Sequence, residues 1–207
     1  SGEKGEIYLM GDMAKGRINV GGTLDASTLN DGKGGFIETS AAQVQVQAGT
    51  RVRAGHWLID PTDITVDVNM ATTLEGQLGS GDASVTTASG GGDEGDIFVN
   101  TGITWSSGNT LTLRADRNIE INAPLNAGGG SGGKIALEYG AGALAAGNTA
   151  SYTIRAPISL QSGDNFSTKL GSDGTAINYT VVNSQSALQA MSLTGNTALG
   201  ANLTFSG

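Results

Sequence analysis

Apolar and polar residues alternate in several short stretches of the chain, as they do in strands that bury one face. The pattern is clearest at residues 43–48, 110–113 and 118–121, where Val, Leu or Ile alternate with Gln, Thr or Asn and Glu. The sequence therefore predicts many short strands. Because Gly, Ser, Thr, Asn and Ala dominate the polar remainder, we expect few helices.

A short unit recurs along the chain: a glycine, one variable residue and then a β-prone run. Its copies are Gly5-Glu6-Ile7, Gly16-Arg17-Ile18, Gly35-Phe36-Ile37, Gly95-Asp96-Ile97 and Gly133-Lys134-Ile135. The step from Gly16 to Gly35 is 19 residues, and that from Gly95 to Gly133 is 38, twice as long. This spacing predicts a coil with about 19–20 residues in each turn.

Two longer stretches, residues 18–37 and 119–135, match in the order of their motifs, with loops of different length between them. Fixed strands with variable loops are typical of stacked repeats. A flat sandwich of short strands would show the same alternation, and the repeat favours the solenoid over it. We therefore predict an all-β parallel solenoid with loop excursions.

Three Gly-rich segments, 79–81, 90–92 and 128–133, are interpreted as loops at the corners of the coil, where glycine permits positive φ. Ser184 is predicted to cap a short helix within residues 184–191. We divide the chain into residues 1–165, which form coil turns with Gly-rich loops, and residues 166–207, which continue them as regular or variant turns containing that helix.

Composition narrows the functional classes. The 207 residues carry a formal net charge of -8, and Lys and Arg are scattered singly except for Arg51 and Arg53. We read that alternating pair as one solvated strand face and expect no nucleic-acid binding. No apolar run approaches the length of a membrane span, so no membrane insertion is expected. The start of the chain lacks signal-peptide features, which predicts an internal segment of a longer precursor.

The chain contains no cysteine. An extracellular domain without disulfides must be held by its hydrogen-bonded ladders and a continuous core. The lack of disulfides also suits export of an unfolded chain through a narrow pore. Ordinary scarcity of Cys explains the same observation.

Two signatures resemble a known family. The runs GGFIETS at 34–40 and WLIDPTDI at 57–64 resemble a signature of filamentous-haemagglutinin-like and high-molecular-weight adhesin exoproteins of two-partner secretion. Residues 180–184, 188–191 and 195–199 resemble a later segment of the same proteins. The resemblance extends from Gly5 to about Leu203, and the first signature is the more specific.

This resemblance implies a right-handed parallel β-helix, secretion to the surface of a Gram-negative bacterium through an outer-membrane transporter partner, and attachment to host cells, other bacteria or biofilm polysaccharide. The family's secretion domain carries an Asn-Pro-Asn-Gly-Ile motif, whereas this chain contains no Asn-Pro. We therefore expect the transporter to engage the full-length protein outside this segment.

Candidate metal ligands each have a structural alternative. His56 is the sole histidine, and we interpret it as a strand-edge residue beside Trp57. Asp60, Asp63 and Asp67 contain the oxygen ligands that Ca²⁺ requires, but Asp-Pro also begins turns, which is the reading we favour. Residues 91–98 partly match a calcium-binding nonapeptide that needs consecutive copies, so we interpret them as a loop entering a strand.

Paired carboxylates at Asp93, Glu94 and Asp96, or at Asp60 and Asp63, leave sugar cleavage as an alternative. Lyase chemistry also needs a base and a neutralising cation or arginine, and the sequence identifies neither. We therefore predict no catalytic, cofactor-binding or metal-binding residues, no cofactor and no enzymatic activity.

Aromatic residues are the other candidates for contact with sugars. Trp57 is expected in the core and Trp105 on the surface; the further candidates are Tyr139, Tyr152 and Tyr179. Three functional classes remain: a rod or adhesin segment, a carbohydrate-binding module and a carbohydrate-active enzyme. We favour the first, with a host receptor or a polysaccharide as partner, and the ligand-binding residues stay unknown.

Overall fold

The computed structural model describes residues 5–27, 34–88, 94–142, 144, 147–191 and 194–204. Strands make up 44% of the structure and helices 10%, so the all-β prediction is confirmed. The first strands are β1 (Glu6–Met10), β2 (Arg17–Val20), β3 (Thr23–Asp25), β4 (Phe36–Ser40), β5 (Gln43–Val46), β6 (Arg51–Arg53), β7 (His56–Asp60) and β8 (Ile64–Val66), followed by helix α1 (Val68–Leu78).

After α1 come β9 (Asp82–Thr86), β10 (Ile97–Val99), β11 (Ile103–Thr104), β12 (Thr110–Ala115), β13 (Ile119–Ile121), β14 (Leu125–Asn126), β15 (Lys134–Tyr139), β16 (Tyr152–Ile154), β17 (Ile158–Ser159) and β18 (Gly163–Leu170). The last elements are β19 (Ile177–Val182), helix α2 (Gln185–Ala190) and β20 (Thr197–Leu199).

The largest sheet has nine strands in the order β1-β4-β7-β9-β12-β15-β18-β19-β20. All neighbours from β1 to β18 are parallel, β18 and β19 are antiparallel, and β19 and β20 are parallel. Alternate side chains of these strands enter one continuous core, where Ile37, Trp57 and Leu111 are fully buried.

The remaining strands form smaller parallel groups: β8-β10-β13-β16, β11-β14-β17, β2-β5 and β3-β6. Between neighbouring parallel strands of the large sheet the chain forms one strand in each of two smaller groups, except between β7 and β9, where it forms β8 and helix α1. Residues 18–37 contain β2, β3 and the start of β4, and residues 119–135 contain β13, β14 and the start of β15. The two matched stretches therefore run through the same succession of strands.

The expected turn of about 19–20 residues fits the step from β4 to β7 and is wrong for the other parallel steps of the large sheet, which are longer. Paired residues are 30 apart between β1 and β4, 20 between β4 and β7, 26 between β7 and β9, 28 between β9 and β12, 24 between β12 and β15 and 31 between β15 and β18. The glycine spacing gave the wrong turn length because the glycines compared do not precede equivalent strands. Gly16 precedes β2 whereas Gly35 precedes β4. Likewise, Gly95 precedes β10 whereas Gly133 precedes β15. Each pair thus precedes strands of different sheets.

Four glycines, Gly5, Gly35, Gly55 and Gly81, stand directly before β1, β4, β7 and β9; we call them the glycine column. A Cβ on Gly35 would overlap the carbonyl oxygen of Gly5, and one on Gly81 would overlap that of Ala54. The oxygen of Gly5 accepts the N–H of Phe36 at 3.0 Å, which begins the ladder between β1 and β4. At Gly35, Gly55 and Gly81 the backbones approach so closely that no side chain fits.

The prediction that the glycines of the Gly-rich loops have positive φ is confirmed for some of them and wrong for others. Gly130 and Gly132 have φ of 55° and 75°, as expected for corner glycines. Gly79 has φ of -65°, so the positive-φ interpretation is wrong there. Residues 90–92 lie outside the described residues.

Helix α1 was not expected. Asp67 caps it by accepting the N–H of Met70 at 2.9 Å, and Met70, Leu74 and Leu78 recur every four residues and are buried. The helix packs between β6 and β11, where the order of strands would place another strand. The helix therefore separates the β3-β6 pair from the three-stranded group β11-β14-β17.

The end of the chain contains the predicted short helix. The Ser184 hydroxyl accepts the N–H of Ala187 at 3.1 Å at the start of α2, so this prediction is confirmed. The division into residues 1–165 and 166–207 stays a prediction. Neither described helix has the length and apolar character needed to cross a bilayer.

Candidate functional site

A groove opens beside α1, where the helix replaces a strand. Its volume is about 470 Å³, within the ~300–1,000 Å³ typical of small-molecule sites. We call it the α1 groove, and its lining comprises Gly49, Thr50, Arg51, Val52, Arg53, Thr72, Thr73, Gly76 and Ser80.

Strand alternation places the charged residues of the α1 groove. In β6 the Val52 side chain is buried, whereas Arg51 and Arg53 are exposed on the opposite face, as expected for a solvated pair. Their Cα atoms are thus roughly 6–7 Å apart along the strand. Two guanidinium groups, each a fork of five donors, line one wall.

Hydroxyl groups and a bare backbone form the opposite wall. The Thr72 hydroxyl donates to Val68 O at 2.9 Å, and that of Ser80 donates to Gln77 O at 3.1 Å. Each hydroxyl oxygen keeps lone pairs that can accept another hydrogen bond. A Cβ on Gly76 would meet nothing within 4 Å, so the groove is open at this point.

The two arginines lack an ion pair within the described ranges, where the four bridges involve Arg114, Arg117 and Arg155. Asp25 is the register partner of Arg53. The hydroxyl and N–H of Ser27 hold the pKa of Asp25 below its usual value, and the charge of Arg53 adds to this. Glu75, on α1, instead accepts Thr104 N–H at 2.7 Å.

A second opening, of about 280 Å³, lies where β5 and β8 fail to pair. Its lining is Arg17, Gln43, Val44, Gln45, Asp63, Ile64 and Thr65. Oδ1 of Asp63 is engaged there, since it accepts the N–H groups of Gly95 and Asp96 at 2.7 Å each. The polar groups of this opening are thus one arginine, two amides, the Thr65 hydroxyl and the Asp63 carboxylate.

The three aspartates considered for calcium have separate surroundings. Asp63 binds two backbone N–H groups and Asp67 caps α1. Asp60 has a buried Oδ1 without a hydrogen-bond partner, and burial followed by the charge of Glu38 raises its pKa. Among the described residues, no three acidic, His or Cys side chains gather in a way that would hold a metal ion.

Two of the carboxylates considered for sugar cleavage, Glu94 and Asp96, lie beside Arg117, which the sequence did not single out. Asp96 accepts Nε of Arg117 at 2.9 Å and the backbone N–H of Asn118 at 2.9 Å, and Glu94 also contacts Arg117. The hydrogen bond from Arg117 lowers the pKa of Asp96, which favours its charged form. Asp93 and the first residues of the nonapeptide match lie outside the described residues.

His56 begins β7, the third strand of the large sheet. Its ring stacks on Phe36 with centroids 5.8 Å apart, and Tyr8 lies 5.9 Å from Phe36 on the other side. Burial lowers the pKa of His56, which keeps the imidazole neutral near pH 7. These three rings form a column across three strands that the sequence alternation did not predict.

One of the two tryptophan predictions is confirmed and the other is wrong. Trp57 is fully buried, as expected, and its Nε1 donates to the Thr39 hydroxyl at 3.3 Å. The prediction that Trp105 is exposed is wrong, because it is only 4% exposed and its Nε1 donates to Asn109 O at 3.1 Å. The Nε1 side of the ring lies against Gly133, where a Cβ would overlap it.

The tyrosine candidates also fail to form an exposed strip. Tyr139 and Tyr152 meet edge to face at 5.2 Å, and Tyr179 lies 5.2 Å from Phe166. All three tyrosines are partly buried against the core. The rings therefore contribute to packing more than to a sugar-stacking surface.

No known protein family matches the chain, and neither a curated protein nor a solved structure matches it. The groove itself was missed because its second wall belongs to an unexpected helix. The sequence did contain signals for both walls: the Arg51 and Arg53 pair, and Met70, Leu74 and Leu78 after Asp67.

Proposed function

We propose that this chain is a non-catalytic segment of a large secreted bacterial surface adhesin and that it folds as a right-handed parallel β-helix. The main support is the return of the chain, pass after pass, to one sheet in which seven successive strands are parallel. Repeated return by way of two further groups of strands is the path of a coil.

The positions of the signature residues support the resemblance to filamentous-haemagglutinin-like exoproteins. GGFIETS includes Gly35 of the glycine column and the buried Ile37, and WLIDP begins with the buried Trp57. The motifs thus coincide with positions where the backbone or the core leaves little freedom. Motifs of this kind preserve a coil, and they leave the outer surface free to differ.

In this proposal the segment extends a surface protein of a Gram-negative bacterium and offers its outer side to a host receptor or a polysaccharide. The full-length protein uses an outer-membrane transporter partner, which it engages outside these residues. The net charge is -8 and the sequence has no long apolar run, so neither nucleic acid nor a membrane interior is proposed as a partner.

The function is tested by a glycan array probed with the purified chain, together with an assay for newly released reducing or unsaturated sugar ends. Binding without release supports an adhesive segment, and absence of both supports a shaft. Release of ends would contradict the proposal and favour the alternative, a carbohydrate-active enzyme. A crystal structure tests the fold, and a left-handed path or a flat sandwich would overturn that part.

A further inference from the structure

Gly76 has no evident role in the fold. It lies inside α1, where glycine costs roughly 0.5–1 kcal/mol relative to alanine. Nothing lies within 4 Å of the position a Cβ would take, and Gly76 is not among the residues with positive φ. The space it leaves open is the α1 groove, opposite the two exposed arginines of β6.

We propose that the α1 groove binds an acidic saccharide, a sugar residue that carries a carboxylate or a sulfate. This inference deepens the proposed adhesive function and rests on it. Arg51 and Arg53 hold the anionic oxygens by charge-assisted hydrogen bonds. Neither has an ion pair among the described residues, and Asp25, whose charge acts on Arg53, is hydrogen-bonded to Ser27. The roughly 6–7 Å between their Cα atoms suits two oxygens of one extended ligand.

The opposite wall suits sugar hydroxyls. The oxygens of Thr72 and Ser80 donate to helix carbonyls and retain acceptor capacity, so a sugar O–H can donate to them. Bare backbone at Gly76 lets a ring come close to the helix. None of the described lining residues is aromatic, which disfavours a nucleotide base and leaves a sugar acid as the better fit.

The groove is also unusual in a chain of net charge -8. An overall negative field repels acidic polymers at long range, so binding depends on local contacts with the two guanidinium groups. Added salt screens those contacts.

The test is isothermal titration calorimetry of the whole chain with three probes: an oligogalacturonate, a sulfated dextran oligomer and neutral dextran. We expect at least one acidic probe to bind, and we expect neutral dextran not to bind in the groove. Raising NaCl from about 0.05 to about 0.5 M should weaken the acidic interaction. The carboxylate and sulfate probes then distinguish the two kinds of ligand.

Variants locate the site. The double variant Arg51→Gln, Arg53→Gln should weaken binding by about tenfold or more, while Arg114→Gln, which removes one charge from the large sheet, should leave it within about twofold. Gly76→Ala should raise the Tm and still weaken binding, since the new methyl group narrows the groove. Retained melting temperatures check that the arginine variants are folded.

Two results would overturn the inference: no binding of either acidic probe, or equal loss of binding in Arg114→Gln and the double variant. Binding of neutral dextran that the double variant weakens as much as it weakens acidic-probe binding would also overturn it, because the groove would then not select for charge, while the proposed adhesive function would stand. Release of sugar ends would instead contradict the proposed function itself. The two failures are thus distinguishable.

Discussion

Single backbone atoms decide where this chain tolerates a side chain. In the glycine column, the Cα of Gly35 lies against the carbonyl oxygen of Gly5, on the neighbouring strand. The Cα of Gly76, in α1, instead faces open space. The same residue type thus marks a tight contact in one place and an opening in the other. A pair of alanine substitutions separates the two situations.

Gly35→Ala should destabilise the protein by about 3 kcal/mol, because the new methyl group overlaps Gly5 O and forces the first ladder apart. Gly76→Ala should stabilise it by about 0.5–1 kcal/mol through lower backbone entropy in the unfolded chain. Urea unfolding of both variants measures the difference. A loss of stability in both would show that Gly76 has a structural role.

Asp60 should make stability depend on pH in an identifiable way. Burial raises the pKa of its carboxyl above the ordinary 3.8, so in the interval above 3.8 the folded chain holds a proton that the unfolded chain has lost. The free energy of unfolding therefore falls as the pH rises through this interval. Its ionised form is also left with an unpaired buried oxygen.

Asp60→Asn removes this penalty, so it should raise the free energy of unfolding by about 1 kcal/mol at pH 7 and by less at pH 3. Denaturation of both proteins at the two pH values gives the comparison. An advantage of the same size at both pH values would show that ionisation of Asp60 is not the cause.

At the scale of the element, α1 occupies the position of a strand, and its side chains make hydrogen bonds that the backbone of a strand would make. The Gln77 amide accepts Ala54 N–H at 3.0 Å and donates to Ala54 O at 2.9 Å, as a neighbouring peptide group would. On the other side Glu75 accepts the N–H of Thr104 in β11. The helix thereby satisfies backbone groups that an absent strand would have paired.

Gln77→Leu should cost about 3 kcal/mol, because Ala54 N–H, Ala54 O and Asp82 O would lose a buried partner. Glu75→Gln is the matched control: it keeps an acceptor oxygen for Thr104, and the expected change is about 0.5 kcal/mol or less. Thermal unfolding monitored by circular dichroism measures both. Equal losses would argue against the strand-like role of the Gln77 amide.

Local patterns predicted the elements better than the spacing predicted their arrangement. Alternation identified β5, β12 and β13, and the capping residue Ser184 identified α2. The 19-residue spacing failed because glycine starts strands of different sheets, and sequence spacing does not say which sheet a strand joins. Trp105 was misplaced for a related reason: its burial depends on Gly133, from the next pass.

The candidate site was less accessible to sequence reasoning. The exposed pair Arg51 and Arg53 was identified as a solvated face, and that interpretation is correct. Helix α1 was obscured by Thr72, Thr73 and Gly76, which are weak helix formers, although its buried residues recur every four positions. Without the helix no groove is predicted, since a single charged strand has no second wall.

At the scale of the whole molecule, each strand up to β18 pairs only with the passes before and after it. In the proposed coil, stability is then a sum of contributions from neighbouring passes. A substitution that destabilises one strand should therefore lower the local stability of its neighbours most, and that of more distant strands progressively less.

Hydrogen exchange in Gly35→Ala tests this. We expect faster exchange in β1, β4 and β7, and unchanged protection in β15 and β18, because those strands lie far from the substitution in the strand order. Native-state exchange read by mass spectrometry resolves these segments. Uniform acceleration over all strands would indicate one cooperative unit and contradict nearest-neighbour coupling.

The unequal passes have an evolutionary consequence. Their lengths differ by up to 11 residues, yet β1 to β18 keep a continuous parallel sheet. Insertions and deletions that fall between strands can therefore accumulate without shifting the register of the core. Sequences descended from a common ancestor should diverge first in these connections and around α1, so lineages can acquire different recognition surfaces while inheriting the same scaffold.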